Sequence, residues 1–293
     1  MPGGPEAAAG RGSGAGGLTR RMMSDLSTAL EVATATHSGM VRSHNEDSIA
    51  ADAAFGLAVL ADGMGGYNAG EVASGIAVEL IKVELKKALG DTNSEKLDGA
   101  GVERLLADHG ARANTAIYQA AQSHPQYAGM GTTLVVALWH DNKMAVGHIG
   151  DSRLYRWRAG ALEQVTRDHS LLQEQIDSGM ITREQARHSQ NKNLVTRAVG
   201  IDPEVETEVH TYPVQPGDVY LLCSDGLSDM VSDEDIQTTL TSLHANLPLA
   251  AEQLVQQAND NGGRDNVSVI LVRVVKEFTA HAGLLDKLKS WFK

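Results

Sequence analysis

Cysteine, aromatic residues and positive charge are all scarce in this sequence. The single cysteine, Cys223, excludes an internal disulfide framework and is typical of a protein of the reducing cytoplasm, where we expect this chain to be. Lysine and arginine number 25 against 37 acidic residues, so the net charge is −12. This balance argues against nucleic-acid binding. No apolar run approaches the roughly 20 residues of a membrane span, and we therefore expect none.

The sequence also lacks the motifs of enzymes that use a protein nucleophile or a zinc ion. Cysteine-dependent phosphate chemistry needs an arginine six positions after the cysteine, and that position is Asp229. No Gly-x-Ser-x-Gly elbow occurs. His-x-x-x-His and Cys-x-x-Cys pairs, the usual zinc signatures, are missing too. Because these motifs are absent, the remaining candidate is a metal site with oxygen ligands.

Four carboxylates lie at the ends of strand-like segments that are far apart in sequence: Asp62, Asp151, Asp225 and Asp265. An isolated Asp-Gly step only indicates a turn. Four such carboxylates together are what two hard divalent cations require, and a paired site can hydrolyse a phosphate ester with an activated water. The glycine after Asp62, Gly63, lets a cation approach closely enough for its carbonyl to be a ligand.

An arginine and two acidic residues precede the first of these segments. Arg42 has the planar fork that suits a phosphate group, and we interpret it as the phosphate clamp. Glu46 and Asp47 follow in the same loop. We expect these two residues to orient water bound to the metal. The spacing of Arg42 to this acidic pair favours the phosphate clamp over a solvated surface arginine.

The apolar pattern predicts an α+β fold, in which strands neighbour strands and helices come in pairs. For the first helix we expect an apolar stripe of Val72, Ile76, Leu80 and Val83. The loop 140–143 predicts a hairpin. Strands are predicted at about 31–36, 55–61, 132–139, 144–149, 153–158, 218–223 and 267–275, and helices at about 69–90, 102–122, 233–239 and 250–259.

The composition predicts three parts of the chain. Residues 1–24 are rich in glycine and alanine, and we expect a disordered extension. Residues 25–276 form the folded domain, with a polar, mobile insert at about 167–193. Residues 277–293 are a tail that could form a short amphipathic helix.

Seven motifs in this chain resemble those of the bacterial PP2C-type (PPM) serine/threonine phosphatases, in family order. They lie at residues 42–47, 61–66, 70–74, 129–133, 150–153, 222–229 and 263–266. The resemblance implies a sandwich of two antiparallel sheets flanked by helix pairs, with two Mn²⁺ or Mg²⁺ ions at one end. It also implies phosphoprotein substrates, a cognate Ser/Thr kinase and direct hydrolysis by water without a covalent intermediate.

The resemblance also assigns roles to individual residues. It implies that Asp62 bridges both ions, that the Gly63 carbonyl binds one, and that Asp225 and Asp265 bind the other. Asp151 with Asp225 would hold a third, weaker ion. Arg42 would bind the substrate phosphate, and the insert 167–193 would be the flap that influences substrate choice.

The proton donor is where this chain departs from the family. Met64 and Tyr67 stand where relatives have histidine. His44, His169 and His188 are candidates, although each is expected to be a surface or flap histidine, and His148 is expected in the core.

Other functions fit the same residues less well. A catalytically silent, metal-binding regulatory protein is the alternative, but such proteins typically lack acidic ligands that this chain keeps. A calcium loop needs ligands at alternate positions within twelve residues, which the chain does not have. We expect a monomer.

Overall fold

Two antiparallel β-sheets form the centre of the protein in a computed structural model that describes residues 25–66, 68–91, 99–182, 185–186 and 194–278. The strands are β1 Leu30–His37, β2 Asp47–Asp52, β3 Leu57–Met64, β4 Gly131–Thr132, β5 Leu134–His140, β6 Lys143–Ile149, β7 Arg153–Arg158, β8 Ala161–Gln164, β9 Glu208–Pro213, β10 Val219–Cys223 and β11 Val267–Val274. The α-helices are α1 Ala69–Asp91, α2 Gly99–Ser123, α3 Leu171–Asp177, α4 Asp225–Ser228, α5 Asp233–Leu243 and α6 Leu247–Asp260.

The sheets stack face to face and each carries a pair of helices on its outer side. The first sheet has the order β1-β11-β10-β7-β8, and the second has β2-β3-β5-β6-β9 with β4 beside β3. Helices α1 and α2 pack on the second sheet, whereas α5 and α6 pack on the first. The predicted α+β sandwich of two antiparallel sheets between helix pairs is therefore confirmed.

Strand β10 shows why the central strands are apolar along their whole length. Val219, Leu221 and Cys223 lie in the core beneath α5 and α6. Tyr220 and Leu222 point the other way, into the core between the two sheets. Successive side chains of a strand face opposite sides, so a strand covered on both sides needs apolar residues at every position. Each large side chain buried in this way stabilises the fold by about 1.5–3 kcal/mol.

The hairpin between β5 and β6 has the predicted position and a two-residue turn. Asp141 and Asn142 have φ angles of 45° and 55°. Two consecutive residues with positive φ define a type I′ turn, which matches the twist of the flanking strands, and Asp and Asn tolerate that conformation better than most residues.

The first helix buries a face that only partly matches its prediction. Val72, Ile76 and Leu80 are half-buried and pack against the core, as expected, but Val83 is 51% exposed. The fully buried side chains of α1 include Ala73, Ala77, Ile81 and Leu85. The small alanines let the helix approach the sheet closely, so the core stripe is offset from the one predicted from the larger residues. The strands β2, β8 and β9, which the sequence did not predict, lie at or near sheet edges.

Parts of the chain with separate predictions lie outside the described residues. These are the extension 1–24, most of the tail and most of 183–193, so those predictions stay untested. The described part of the insert contains α3, capped by Ser170 and without a fully buried residue. Among the described residues, no helix has the length and apolar character that a bilayer crossing requires.

Candidate metal centre

The predicted acidic residues meet at one end of the sandwich because the strand registers align there. Asp47 at the start of β2 pairs directly with Asp62 near the end of β3. In the other sheet, Cys223 pairs with both Arg153 and Val269. Residues that follow β10, precede β7 and precede β11 therefore emerge side by side, and these are the segments that carry Asp225, Asp151 and Asp265.

Asp62 and Asp225 are the two carboxylates with the strongest electrostatic perturbation. Burial raises the pKa of Asp62 well above its ordinary value, and the negative charges of Asp47, Asp225, Asp151 and Asp265 raise it further. Burial likewise raises the pKa of Asp225, and the charge of Asp151 is the largest further contribution. A group of enclosed carboxylates without a positive partner is unstable when ionised, and a divalent cation between them would remove that cost.

Asp47 and Asp151 complete this acidic group. Burial raises the pKa of Asp47 to about 6, although hydrogen bonds from Ser268 and Ser224 oppose the shift. Ser224 Oγ donates to Asp47 Oδ2 at 2.8 Å, whereas the buried Oδ1 has no partner among the described residues. Burial and the charge of Asp168 raise the pKa of Asp151 to about 6. An oxygen without a partner beside several carboxylates fits a cation site.

Gly63 lies where no side chain has room. A Cβ atom added to it would come within 2.1 Å of the Gly70 carbonyl oxygen and 2.6 Å of the Glu46 carbonyl oxygen. Its N–H also donates to Glu46 at 3.1 Å. The start of α1, the β2 loop and β3 thus pack backbone to backbone, which only glycine at position 63 permits.

Arg42 and Asp265 form an ion pair at the rim of the acidic group. Arg42 Nη2 lies 2.8 Å from Asp265 Oδ2, and the arginine side chain is 52% exposed. The next residue, Asn266, fixes the loop that carries Arg42 and Glu46. Its Oδ1 accepts from the Glu46 N–H at 2.7 Å, and its Nδ2 donates to the carbonyl groups of Ser38 and His44.

Two further residues belong to this site that the sequence alone did not single out. Asp229 follows α4, and its charge raises the pKa of both Asp225 and Asp151. Thr133 connects the two strands that flank the site: its Oγ1 accepts from the Asp62 N–H at 3.0 Å and lies 2.7 Å from Ser152 Oγ. The Asp-Gly-x-x-Asp spacing places Asp229 one helical turn after Asp225. This spacing is the feature of the sequence from which its place in the site could have been predicted.

The ligand atoms available here fit Mn²⁺ or Mg²⁺. All of them are oxygens, from carboxylates and a tightly packed backbone, and hard divalent cations prefer such ligands. The site brings together Asp62, Gly63, Asp225, Asp265 and Asp151, with Glu46 and Asp47 beside them. The assignment of each residue to a particular ion stays a prediction.

The structure describes three of the four histidines named from the sequence. His169, expected at the surface or in the flap, lies in the predicted flap segment but is only 7% exposed, because it packs on the end of β6. His148 is buried, as expected, and His44 is exposed. Tyr67 and His188 lie outside the described residues, and Met64 ends β3. The structure therefore offers no described histidine in contact with the carboxylate group.

Comparison with known protein families shows which family this chain belongs to. The family described as Protein phosphatase 2C matches residues 35–261, which is more than half of the sequence. The chain belongs to the protein phosphatase 2C family. The resemblance drawn from the seven motifs is thereby confirmed.

Curated relatives share much of the sequence. The serine/threonine phosphatase stp of Listeria monocytogenes is 36% identical over 243 residues, which are 81% of this chain and 93% of that protein. The serine/threonine protein phosphatase PstP of Mycobacterium tuberculosis is 40% identical over 257 residues, 86% of this chain but 46% of the longer PstP.

Solved structures show the same fold. The crystal structure of the PstP catalytic domain in complex with two manganese ions matches with a TM-score of 0.73 and 39% identity, covering 85% of this chain and 99% of that one. The structure of Stp1 from Staphylococcus aureus matches with a TM-score of 0.76 and 34% identity, covering 87% and 98%.

Proposed function

We propose that this protein is a metal-dependent phosphatase that hydrolyses phosphoserine and phosphothreonine in proteins directly with water. The observation that carries the proposal is the set of clustered carboxylates, Asp47, Asp62, Asp151 and Asp225, which have raised pKa values and form no ion pair with any described residue. Relatives of similar length are named serine/threonine phosphatases. The silent regulatory alternative is not favoured, because no acidic ligand of the motifs is missing.

The absence of a usable thiol supports direct hydrolysis. Cys223 is fully buried, and burial raises the pKa of its thiol to about 12. A thiol in this state is not a nucleophile at neutral pH. Attack by water, rather than a covalent enzyme intermediate, is therefore the route that the site favours.

In the proposed site, Asp62 and the Gly63 carbonyl would hold two divalent ions, Mn²⁺ or Mg²⁺, and Asp225 and Asp265 would complete the ligand set. Asp151 would hold a third, weaker ion. When bound, such ions act as Lewis acids that lower the pKa of coordinated water and neutralise charge on phosphate. Glu46 and Asp47 orient water, with Asp47 fixed by Ser224.

Arg42 has the role of binding the substrate phosphate. Its side chain is half-exposed, and its contact with Asp265 holds the guanidinium beside the acidic group. An arginine with free donors can take two phosphate oxygens at once. Its positive charge stabilises the charge on those oxygens as the ester bond breaks.

The decisive experiment measures hydrolysis of p-nitrophenyl phosphate and of a phosphothreonine peptide with and without Mn²⁺. We expect chelator, Asp62→Asn or Asp225→Asn to abolish activity, while Asp260→Asn, an exposed carboxylate on α6, leaves it unchanged. Arg42→Ala should raise KM roughly 10- to 100-fold, the value of one or two hydrogen bonds between charged groups. Full activity of Asp62→Asn, or binding of Mn²⁺ without turnover, would refute the proposal.

The cellular context is proposed on the same basis. A Ser/Thr phosphatase implies a kinase that it opposes, and the free cysteine fits a cytoplasmic location. We further infer a monomer. Phosphoproteomics of a strain that lacks the protein should show phosphoserine and phosphothreonine sites that accumulate.

A further inference from the structure

Two buried histidines and a glutamate converge beneath the start of the flap, outside the carboxylate group described above. His148 lies on β6, Glu208 pairs with it at the start of β9, and His169 lies in the loop that follows β8. Their ligand atoms all lie within 4.8 Å of one another, and the two imidazole rings are 4.7 Å apart. We call these three residues the histidine cluster.

His148 has one ring nitrogen with an unused lone pair. Its Nε2 lies 2.8 Å from the Arg167 carbonyl oxygen, which can only accept, so Nε2 carries the proton. Its Nδ1 is buried and has no partner among the described residues, although the residue is 1% exposed. Histidines bound to metal ions almost always donate their other N–H to a carbonyl or carboxylate in this way.

The other two members supply a second nitrogen and a charge. His169 Nε2 lies 3.2 Å from Glu208 Oε2, and the other oxygen of Glu208 is 2.8 Å from the exposed His210. Burial lowers the pKa of His148 and of His169, so both rings are neutral at pH 7. Partial burial opposes ionisation of Glu208, but hydrogen bonds from His210 and His169 lower its pKa to about 2.

We propose that His148 Nδ1, His169 Nε2 and Glu208 Oε2 form a site for one transition-metal ion, with Zn²⁺ as the ion that fits best. Two imidazoles and one carboxylate suit zinc, whereas the all-oxygen group suits manganese and magnesium. Three protein ligands leave a fourth position for water. Tetrahedral bonds of 2.0–2.1 Å require ligand atoms roughly 3.3 Å apart. The two rings are stacked at an interplanar angle of 17°, so binding needs one imidazole to rotate as well as the cluster to close.

Metal binding at this site would be coupled to the loop that carries Asp151. In the structure His169 Nδ1 accepts from the Gly150 N–H at 3.2 Å, which places the ring proton on Nε2. Binding of a metal at Nε2 moves that proton to Nδ1, and the ring stays neutral. Nδ1 and the Gly150 N–H would then both be donors, so their hydrogen bond breaks. The ion thus loosens the turn beside Asp151.

The test uses Co²⁺ as a spectroscopic probe on chelator-washed protein. An Asp62→Asn background weakens binding at the carboxylate group. We expect this variant to bind one Co²⁺ with visible ligand-field absorption, which Zn²⁺ displaces. Loss of an outer contact of a metal ligand costs roughly 10- to 100-fold in affinity, so loss of the ligand itself in Asp62→Asn/His148→Gln should cost at least that much. His124→Gln, an exposed histidine at the end of α2, is the matched control.

Two outcomes overturn the proposal: no visible absorption with Co²⁺, or equal affinity with and without His148→Gln. Glu208→Gln, in a half-buried side chain, decides the question if His148→Gln fails to fold, and it should weaken binding by a similar factor. None of these measurements depends on phosphatase activity, so failure of this site and failure of the proposed function are distinguishable.

Discussion

Replacement of Asp151 by asparagine should stabilise the metal-free protein. Burial and the charge of Asp168 raise the pKa of this carboxyl from 3.8 to about 6 in the folded state. A raised pKa means that the folded state favours the protonated form. The cost of ionisation is absent below pH 3.8, grows as pH rises, and is complete above about pH 6. Asparagine carries no charge and keeps an acceptor oxygen, so it removes this cost.

The magnitude follows from the shift. At 1.36 kcal/mol for each pKa unit, the cost is about 3 kcal/mol at pH 7.5 and about half of that at pH 5. We therefore expect the unfolding free energy of Asp151→Asn, measured in urea with chelator, to exceed that of the parent at pH 7.5. The difference should disappear near pH 4.

Asp218 provides the control, since it is also buried but forms an ion pair with an arginine. Arg158 donates to it from Nε and Nη2 at 2.6 and 2.7 Å. Asp218→Asn should therefore lose stability at the same pH. With Mn²⁺ present the advantage of Asp151→Asn over its parent should nearly vanish, because a ligand at 100 times its Kd adds about 2.7 kcal/mol to the state that binds it. An Asp151→Asn variant that is no more stable than its parent in chelator at pH 7.5 would refute the reasoning.

Three further perturbations test other parts of the site. Gly63→Ala should lower both the melting temperature and the Mn²⁺ affinity, measured by calorimetry, because its Cβ would lie 2.1 Å from the Gly70 carbonyl oxygen. Asn266→Ala removes three hydrogen bonds to the backbone of loop 38–46 and should cost about 3 kcal/mol in urea unfolding, at roughly 1 kcal/mol for each bond. Cys223 should react with a thiol reagent only at the rate of unfolding, since burial raises its pKa to about 12; fast labelling of the folded protein would contradict this.

The strands that the sequence predicted well are those covered on both faces. β5, β6 and β10 consist almost entirely of buried apolar residues, which gives an unambiguous pattern. β2 and β9 were missed because all their residues are half-buried or exposed and several are acidic or polar. An edge strand is defined by its hydrogen-bonded neighbour more than by its own side chains, so its sequence carries little signal.

For the candidate site, the individual metal-binding residues were easier to predict than the tertiary contacts between them. Asp62 and Asp225 could be found because each follows an apolar strand and precedes glycine. The contribution of Asp229 depends on the helical turn of α4, and that of Thr133 on its position beside β3. The burial of His169 could not be predicted, because a polar segment normally lies at the surface, while here its imidazole contacts the end of β6. Such tertiary contacts override local composition.

The acidic group connects metal binding to the packing of the two sheets. Asp47 and Asp62 belong to one sheet, whereas Asp225 follows a strand of the other, and the Ser224–Asp47 hydrogen bond joins the two at 2.8 Å. Without metal, repulsion between these carboxylates acts to separate the sheets, and the apolar layer between them opposes it. A cation replaces repulsion with attraction at the same place. Metal affinity therefore also depends on residues such as Tyr220, which lie between the two sheets and fix the distance between them. These residues do not contact the carboxylates that bind the metal.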